Sequence, residues 1–156
     1  MRELKEFYKN TKVPFFNYLL KLTGDYDLAS DLMQDAYIKI YENYKVYNKS
    51  LLYKIAYNLY IDFYRKSKKN SELNVEVTLS ITDVEESLIA KEDYKNLLKA
   101  MQKLPLEERQ ILSLKVSDNL SYKEISEITG LSVANIKVKI HRARQKLRQI
   151  LKGGLK

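Results

Sequence analysis

Apolar residues recur at spacings of three and four along most of the chain, which predicts helices. A first helix is expected over Leu4–Leu22, stopped by Gly24. A second begins at Asp25, a good N-cap, and carries Leu28, Leu32, Ala36 and Ile40 four apart. Ala29, Met33, Tyr37 and Tyr41 lie beside them and complete one wide apolar stripe. Asp27, Asp31, Gln34, Asp35 and Glu42 fall on the opposite side. After a short loop over Asn43–Ser50, with Ser50 as the expected cap, Leu52, Ile55, Ala56, Leu59 and Phe63 form the inner face of a third helix. Tyr57, Tyr60, Ile61 and Tyr64 form its second face, and its end is basic.

Strand-like alternation occurs only briefly, at Asn74–Ile81, within a stretch read as linker. Further helices are expected over Ser87–Lys103 and Glu107–Val116, with Pro105 suited to a first turn. Ser121 and Glu124 spell a capping box, Gly130 ends that helix, and Ser132 caps a last one over Val133–Leu151. The fold class is therefore all-α. Two small helical domains are expected, 1–70 and 91–156, joined by a linker over 71–90, each with a thin core.

Charge sharpens this division. The net formal charge is +8, but it is unevenly placed: +5 over 1–70, −4 over 71–100 and +7 over 101–156. Two basic blocks flank an acidic one, as expected of two nucleic-acid-facing units joined by a segment that DNA repels. With no Cys and one His, His141, neither a thiolate nor an imidazole metal site is expected, and no cofactor. No apolar run is long enough to span a bilayer, and the N-terminus lacks a signal-peptide core, so a cytoplasmic protein without membrane insertion is expected. The 13 tyrosines, like the many Lys, Asn and Ile, are also what AT-rich codons supply.

The stretch SYKEISEITGLSVANIKVKIHRARQKL, residues 121–147, has helix-turn-helix spacing. Ile125 and Ile128 point inward, Ser126 is small where a second helix must approach, and Gly130 supplies the tight turn. Ile136, Ile140, Ala143 and Leu147 share one face of the second helix. Its other faces carry Asn135, Lys137, Lys139, His141, Arg142 and Arg144, suited to phosphates, with Asn135 and Lys139 placed to reach base edges. His141 fits a surface or phosphate-contacting role better than that of a metal ligand.

Four stretches, in order, resemble sigma factors of bacterial RNA polymerase. Ala29, Asp31, Leu32, Gln34, Asp35 and Tyr37 match the A-x-D-L-x-Q-[DE]-x-[FY] pattern of region 2.2. LYKIAYNLYIDFYR, residues 52–65, is similar to regions 2.3 to 2.4, and LPLEERQIL, residues 104–112, to the opening of region 4. Residues 136–144 match the V-K-x-[RK]-[IL]-x-R-A-[RK] pattern of region 4.2. The resemblance covers about residues 5–150 and is to the compact extracytoplasmic-function class of the sigma-70 type.

The resemblance implies a non-enzymatic factor that binds core RNA polymerase, directs it to promoters and helps open the −10 region. It implies that Asp31, Gln34, Asp35 and Ile38 meet the clamp helices of the largest subunit. It assigns Tyr44, Tyr47, Asn48 and Lys49 to the loop that captures a flipped base, and Asn58, Asp62 and Arg65 to −10 contacts. It assigns Ser132, Asn135, Lys137, Lys139, His141, Arg142 and Arg144 to the −35 duplex. Tyr57, Tyr60 and Tyr64 either stack on bases or pack between helices. An anti-sigma partner is implied, as is a monomer when free. The chain departs from the pattern with Leu51 where Trp is usual, Tyr57 where Arg is usual, a short loop before Ser50, and Ser126 for Ala. A stand-alone helix-turn-helix regulator would explain residues 104–151 but would leave the Asp31/Gln34/Asp35 face without a role. A nuclease would need clustered carboxylates near a basic groove, and a third reading is a pure adaptor for another regulator.

Overall fold

A computed structural model describes residues 2–70 and 88–153, with side chains at 2–67 and 91–153. All the secondary structure among them is α-helical: α1 (Arg2–Thr23), α2 (Tyr26–Asn43), α3 (Lys49–Asn70), α4 (Leu88–Gln102), α5 (Leu106–Asp118), α6 (Tyr122–Thr129) and α7 (Val133–Lys152). The alternation at Asn74–Ile81, and most of the linker expected over 71–90, lie outside the described residues. The helices form two clusters, α1–α3 and α4–α7.

Local chemistry accounts for most boundaries. Gly24 ends α1 at φ +68°, and Asp25 then caps α2 by accepting from Leu28 N at 3.1 Å. Most of the expected stripe on α2 is inside: Ala29, Leu32, Ala36, Tyr37 and Ile40 are buried and Leu28 and Met33 half-buried, whereas Tyr41 is exposed. Pro14 lies within α1, where a proline costs about 3 kcal/mol of intrinsic propensity. The buried Phe15, Tyr18, Leu19 and Leu22 that follow it hold the helix against its neighbours. One cap differs from expectation. Asn48, rather than Ser50, starts α3: its Oδ1 accepts from Leu51 N at 2.8 Å. Tyr47 packs against Phe7 with ring centroids 5.8 Å apart, which pins the chain where Asn48 is in position to cap.

Packing differs from two thin cores. The buried residues of both clusters form one contiguous core, in which Phe15, Tyr18 and Leu22 of α1 join Leu98, Met101, Ile111 and Leu112 of α4 and α5. The physical reason lies in α5, which packs against α1 on one side and α7 on another. Seven consecutive residues, Glu108 to Leu114, are buried, so this helix has no solvent face over that stretch. Three of its polar side chains find partners inside. Gln110 accepts a hydrogen bond from the Tyr18 hydroxyl, and Glu108 accepts from Lys146 Nζ at 2.9 and 3.0 Å. Arg109 donates to the Tyr60 hydroxyl at 3.3 Å and to the carbonyl of Gln102 at 3.2 Å.

The seam between the clusters is built on tyrosines of the first. Tyr53 donates to Asp118 Oδ2 at 2.9 Å, joining the Tyr18–Gln110 and Tyr60–Arg109 bonds. Burial, reinforced by the Asp118 carboxylate, pushes the Tyr53 phenol far up. Gln102 donates to the Lys21 carbonyl at 2.9 Å, so a side chain of α4 caps the end of α1. Of the aromatics on α3 left open between stacking and packing, Tyr60 is buried and Tyr57 and Tyr64 are half-buried, whereas Phe63, expected inside, is exposed.

Candidate nucleic-acid interface

The helix-turn-helix is assembled by short-range bonds. Ser121 Oγ accepts from Glu124 N at 3.1 Å, and Glu124 accepts from Ser121 N at 3.0 Å, closing the capping box. The hydrogen bond from the Ser121 backbone holds the Glu124 carboxyl below its ordinary value. Gly130 takes φ +78° and ends α6. Ser126 Oγ donates to the Leu131 carbonyl at 2.6 Å, tying the turn to α6. Ser132 Oγ accepts from Asn135 N at 3.1 Å and starts α7.

Helix α7 buries Ile136, Ile140 and Ala143, with Leu147 half-buried. Asn135, Lys137, His141, Arg142 and Arg144 are exposed, as expected for groups that meet a polyanion. Two lysines are held to the sides. Lys139 is half-buried and pairs with Glu107 at 2.5 Å, and Lys146 pairs with Glu108. Lys137 lies over the Tyr122 ring at 5.3 Å on the α6 side. The outward strip between them includes Ala134, Val138 and Gln145, all exposed, which sequence reasoning passed over. Helical spacing carries the signal: position 138 lies opposite Ile136 and Ile140.

On α2, Asp31, Gln34, Asp35 and Ile38 are all exposed and share one side. The residues assigned to the −10 element divide. Asn58, Asp62 and Arg65 lie on one exposed side of α3. Tyr44 is exposed, Tyr47 is half-buried against Phe7, and Asn48 acts as a helix cap. Lys49 lies 3.5 Å from Asp118 of the other cluster. A cleft of about 320 Å³ separates α3 from α5 and α6, lined by Lys54, Asn58, Glu107, Gln110, Ile128 and Thr129 among others. Among the described residues, no group of three or more His, Cys, Asp or Glu is placed to hold a metal ion. No helix among them is long and apolar enough to cross a membrane.

Comparison with known proteins matches the chain in two parts. The model of sigma-70 region 2 matches residues 7–70, and that of sigma-70 region 4 matches residues 94–147. The chain is 31% identical to the ECF RNA polymerase sigma factor SigM of Bacillus subtilis (strain 168), covering 97% of each chain. It is 33% identical to the RNA polymerase sigma factor SigZ of the same organism, covering 90% of this chain and 82% of that one. The fold is similar to that of the sigma factor RpoE in complex with the anti-sigma factor NepR from Bartonella quintana. There the TM-score is 0.75 at 24% identity, over 95% of this chain and 98% of that one.

Proposed function

The chain belongs to the sigma-70 family of RNA polymerase sigma factors, in its extracytoplasmic-function class, and on that premise we propose how its surfaces divide the work of initiation. As a sigma factor it binds core polymerase and directs it to promoters, and it catalyses nothing itself.

Asp31, Gln34, Asp35 and Ile38 dock on the clamp helices of the largest polymerase subunit. An acidic face on a basic, DNA-binding protein suits a protein partner better than a phosphate backbone. Residues 1–70 engage the −10 element, with Tyr44 and Tyr47 offering ring faces to unpaired bases. Asn48, Lys49, Asn58, Asp62 and Arg65 supply its polar contacts. Residues 91–156 read the −35 element as duplex through α7. Here Ser132, Asn135, Lys137, His141, Arg142 and Arg144 meet phosphates or base edges, and Lys139 joins them once it leaves Glu107. Because polymerase holds both units at fixed spacing, two weak contacts combine as effective concentration. The segment over 71–90 links them. The protein acts in the cytoplasm, is a monomer when free, and is held in check by an anti-sigma factor.

One observation carries this reading: α2 and α7 each present an exposed polar face that the core does not use. Transcription by core polymerase on a candidate promoter, with and without the protein, tests it. Initiation is expected only with the protein present. Combined alanine at Asp31, Gln34 and Asp35 is expected to abolish it and to weaken capture by purified core at least tenfold, with the melting temperature unchanged. Unaltered capture would remove α2 from the polymerase interface. Tight duplex binding without any initiation would favour the stand-alone regulator.

A further inference from the structure

Resting on the reading of α7 as the recognition helix, we propose that Val138, with Ala134 one turn before it, reads the C5-methyl group of thymine in the −35 duplex. Val138 is 46% exposed, although nothing about α7 requires an apolar residue on its outer side. It is the sixth residue of the helix, within the N-terminal turns that enter a major groove. Two of the long cations beside it are drawn aside, Lys139 to Glu107 and Lys137 to the Tyr122 ring, while Arg142 one turn on stays exposed. The N-terminal part of the outward strip is therefore apolar at Ala134 and Val138, with Asn135 at its margin and the exposed His141 and Arg142 following one turn on.

The chemistry of the groove then narrows what this strip can recognise. Purine N7 and O6, adenine N6 and cytosine N4 all call for a hydrogen-bonding side chain, which neither Val138 nor Ala134 has. Thymine alone displays an apolar group there, its C5-methyl. A β-branched side chain in a helix keeps essentially one χ1 rotamer, so the Val138 methyls are presented already ordered. Ala134 and Val138 stand about 6 Å apart along the helix axis, close to two base-pair steps. The strip therefore addresses thymines at neighbouring or next-neighbouring positions.

Deoxyuridine, which lacks only the methyl, provides the test. Holoenzyme made from the full chain and core polymerase selects promoters from duplexes randomised at both elements. Each thymine of the selected −35 element, on either strand, is then replaced singly by deoxyuridine. At one or two positions binding is expected to fall about fourfold, the worth of one buried methyl. Val138→Ala is expected to bind the thymine duplex several-fold more weakly and to lose its response to deoxyuridine at one of them. Circular dichroism melting should match the wild type, since the side chain is outside the core. Uniform tolerance of deoxyuridine, an unaltered response in Val138→Ala, or a selected element without thymine would each overturn the assignment while leaving the sigma activity standing. A Val138→Ala variant that binds DNA normally but loses a protein partner would assign the strip to that partner instead. Failure to select any promoter would remove the sigma reading itself, and this inference with it.

Discussion

Tyr18, Tyr53 and Tyr60 join the two helical clusters, each through its hydroxyl. Spacing on α3 indicated a second aromatic face but not what would cover it, because that depends on a helix some fifty residues further along. Burial raises the phenols of Tyr18, Tyr53, Tyr57 and Tyr60, and pushes that of Tyr37 up to about 12. The sign of the linkage follows. The native state keeps these protons above the ordinary phenol value near 10, while the unfolded chain releases them. Their contribution is therefore complete below about pH 10 and is lost as pH climbs from there toward about 12. Urea midpoints should accordingly fall between pH 10 and 11.5, and Tyr37→Phe should flatten the fall. A midpoint as steep in Tyr37→Phe as in the wild type would contradict the burial of that phenol.

At the scale of elements, the starts and stops were largely legible. Asp25, Ser121 with Glu124, Gly130 and Ser132 act where the sequence places them, because capping involves atoms within a few residues. Gly24 and Gly130 both adopt positive φ, yet their surroundings differ. A Cβ at Gly130 would meet nothing within 4 Å, whereas one at Gly24 would lie 2.8 Å from the Gln102 side chain. Gly130→Ala should therefore cost only the backbone term, about 1–2 kcal/mol. Gly24→Ala should cost more, since it also disturbs the Gln102 cap on α1. Thermal melts of the two variants check the order, and a larger loss at Gly130 would reverse it. Helix α5 was the element least legible. Its buried run mixes Glu108, Arg109 and Gln110 with Ile111, Leu112 and Leu114, so no face stands out as the inner one. Its covering comes from both clusters at once, which no local pattern records.

For the whole molecule, the shared core has a consequence for binding. Lys49 pairs with Asp118, and Asn58 lines the cleft beside α5 and α6, so part of the face assigned to the −10 element looks toward the second cluster. A single body of 156 residues should have a radius of gyration of about 15 Å by X-ray scattering. Tyr53→Phe combined with Asp118→Ala removes one bond and one ion pair from the seam, and should enlarge that radius or lower the melting temperature. A wild-type radius well above 20 Å would mean that the clusters separate in solution. Because Lys49 stays partly in solvent and stands 3.5 Å from Asp118, their pair contributes little, and most of any effect should come from the buried Tyr53 hydroxyl.

The sequence by itself determined the helices, most of their caps, the helix-turn-helix and the family. These rest on periodicity and on bonds between residues three or four apart, which the order of residues records directly. It also determined that Asp31, Gln34 and Asp35 of α2 and most of the polar residues of α7 remain outside, since helical spacing sets polar residues opposite apolar ones. Only the tertiary structure decided that the two clusters share one core, that α5 lies at its centre, and that Lys139 and Lys146 turn toward Glu107 and Glu108. Those outcomes depend on contacts between residues about thirty to ninety positions apart, where shape and burial choose the partner and no local spacing encodes it.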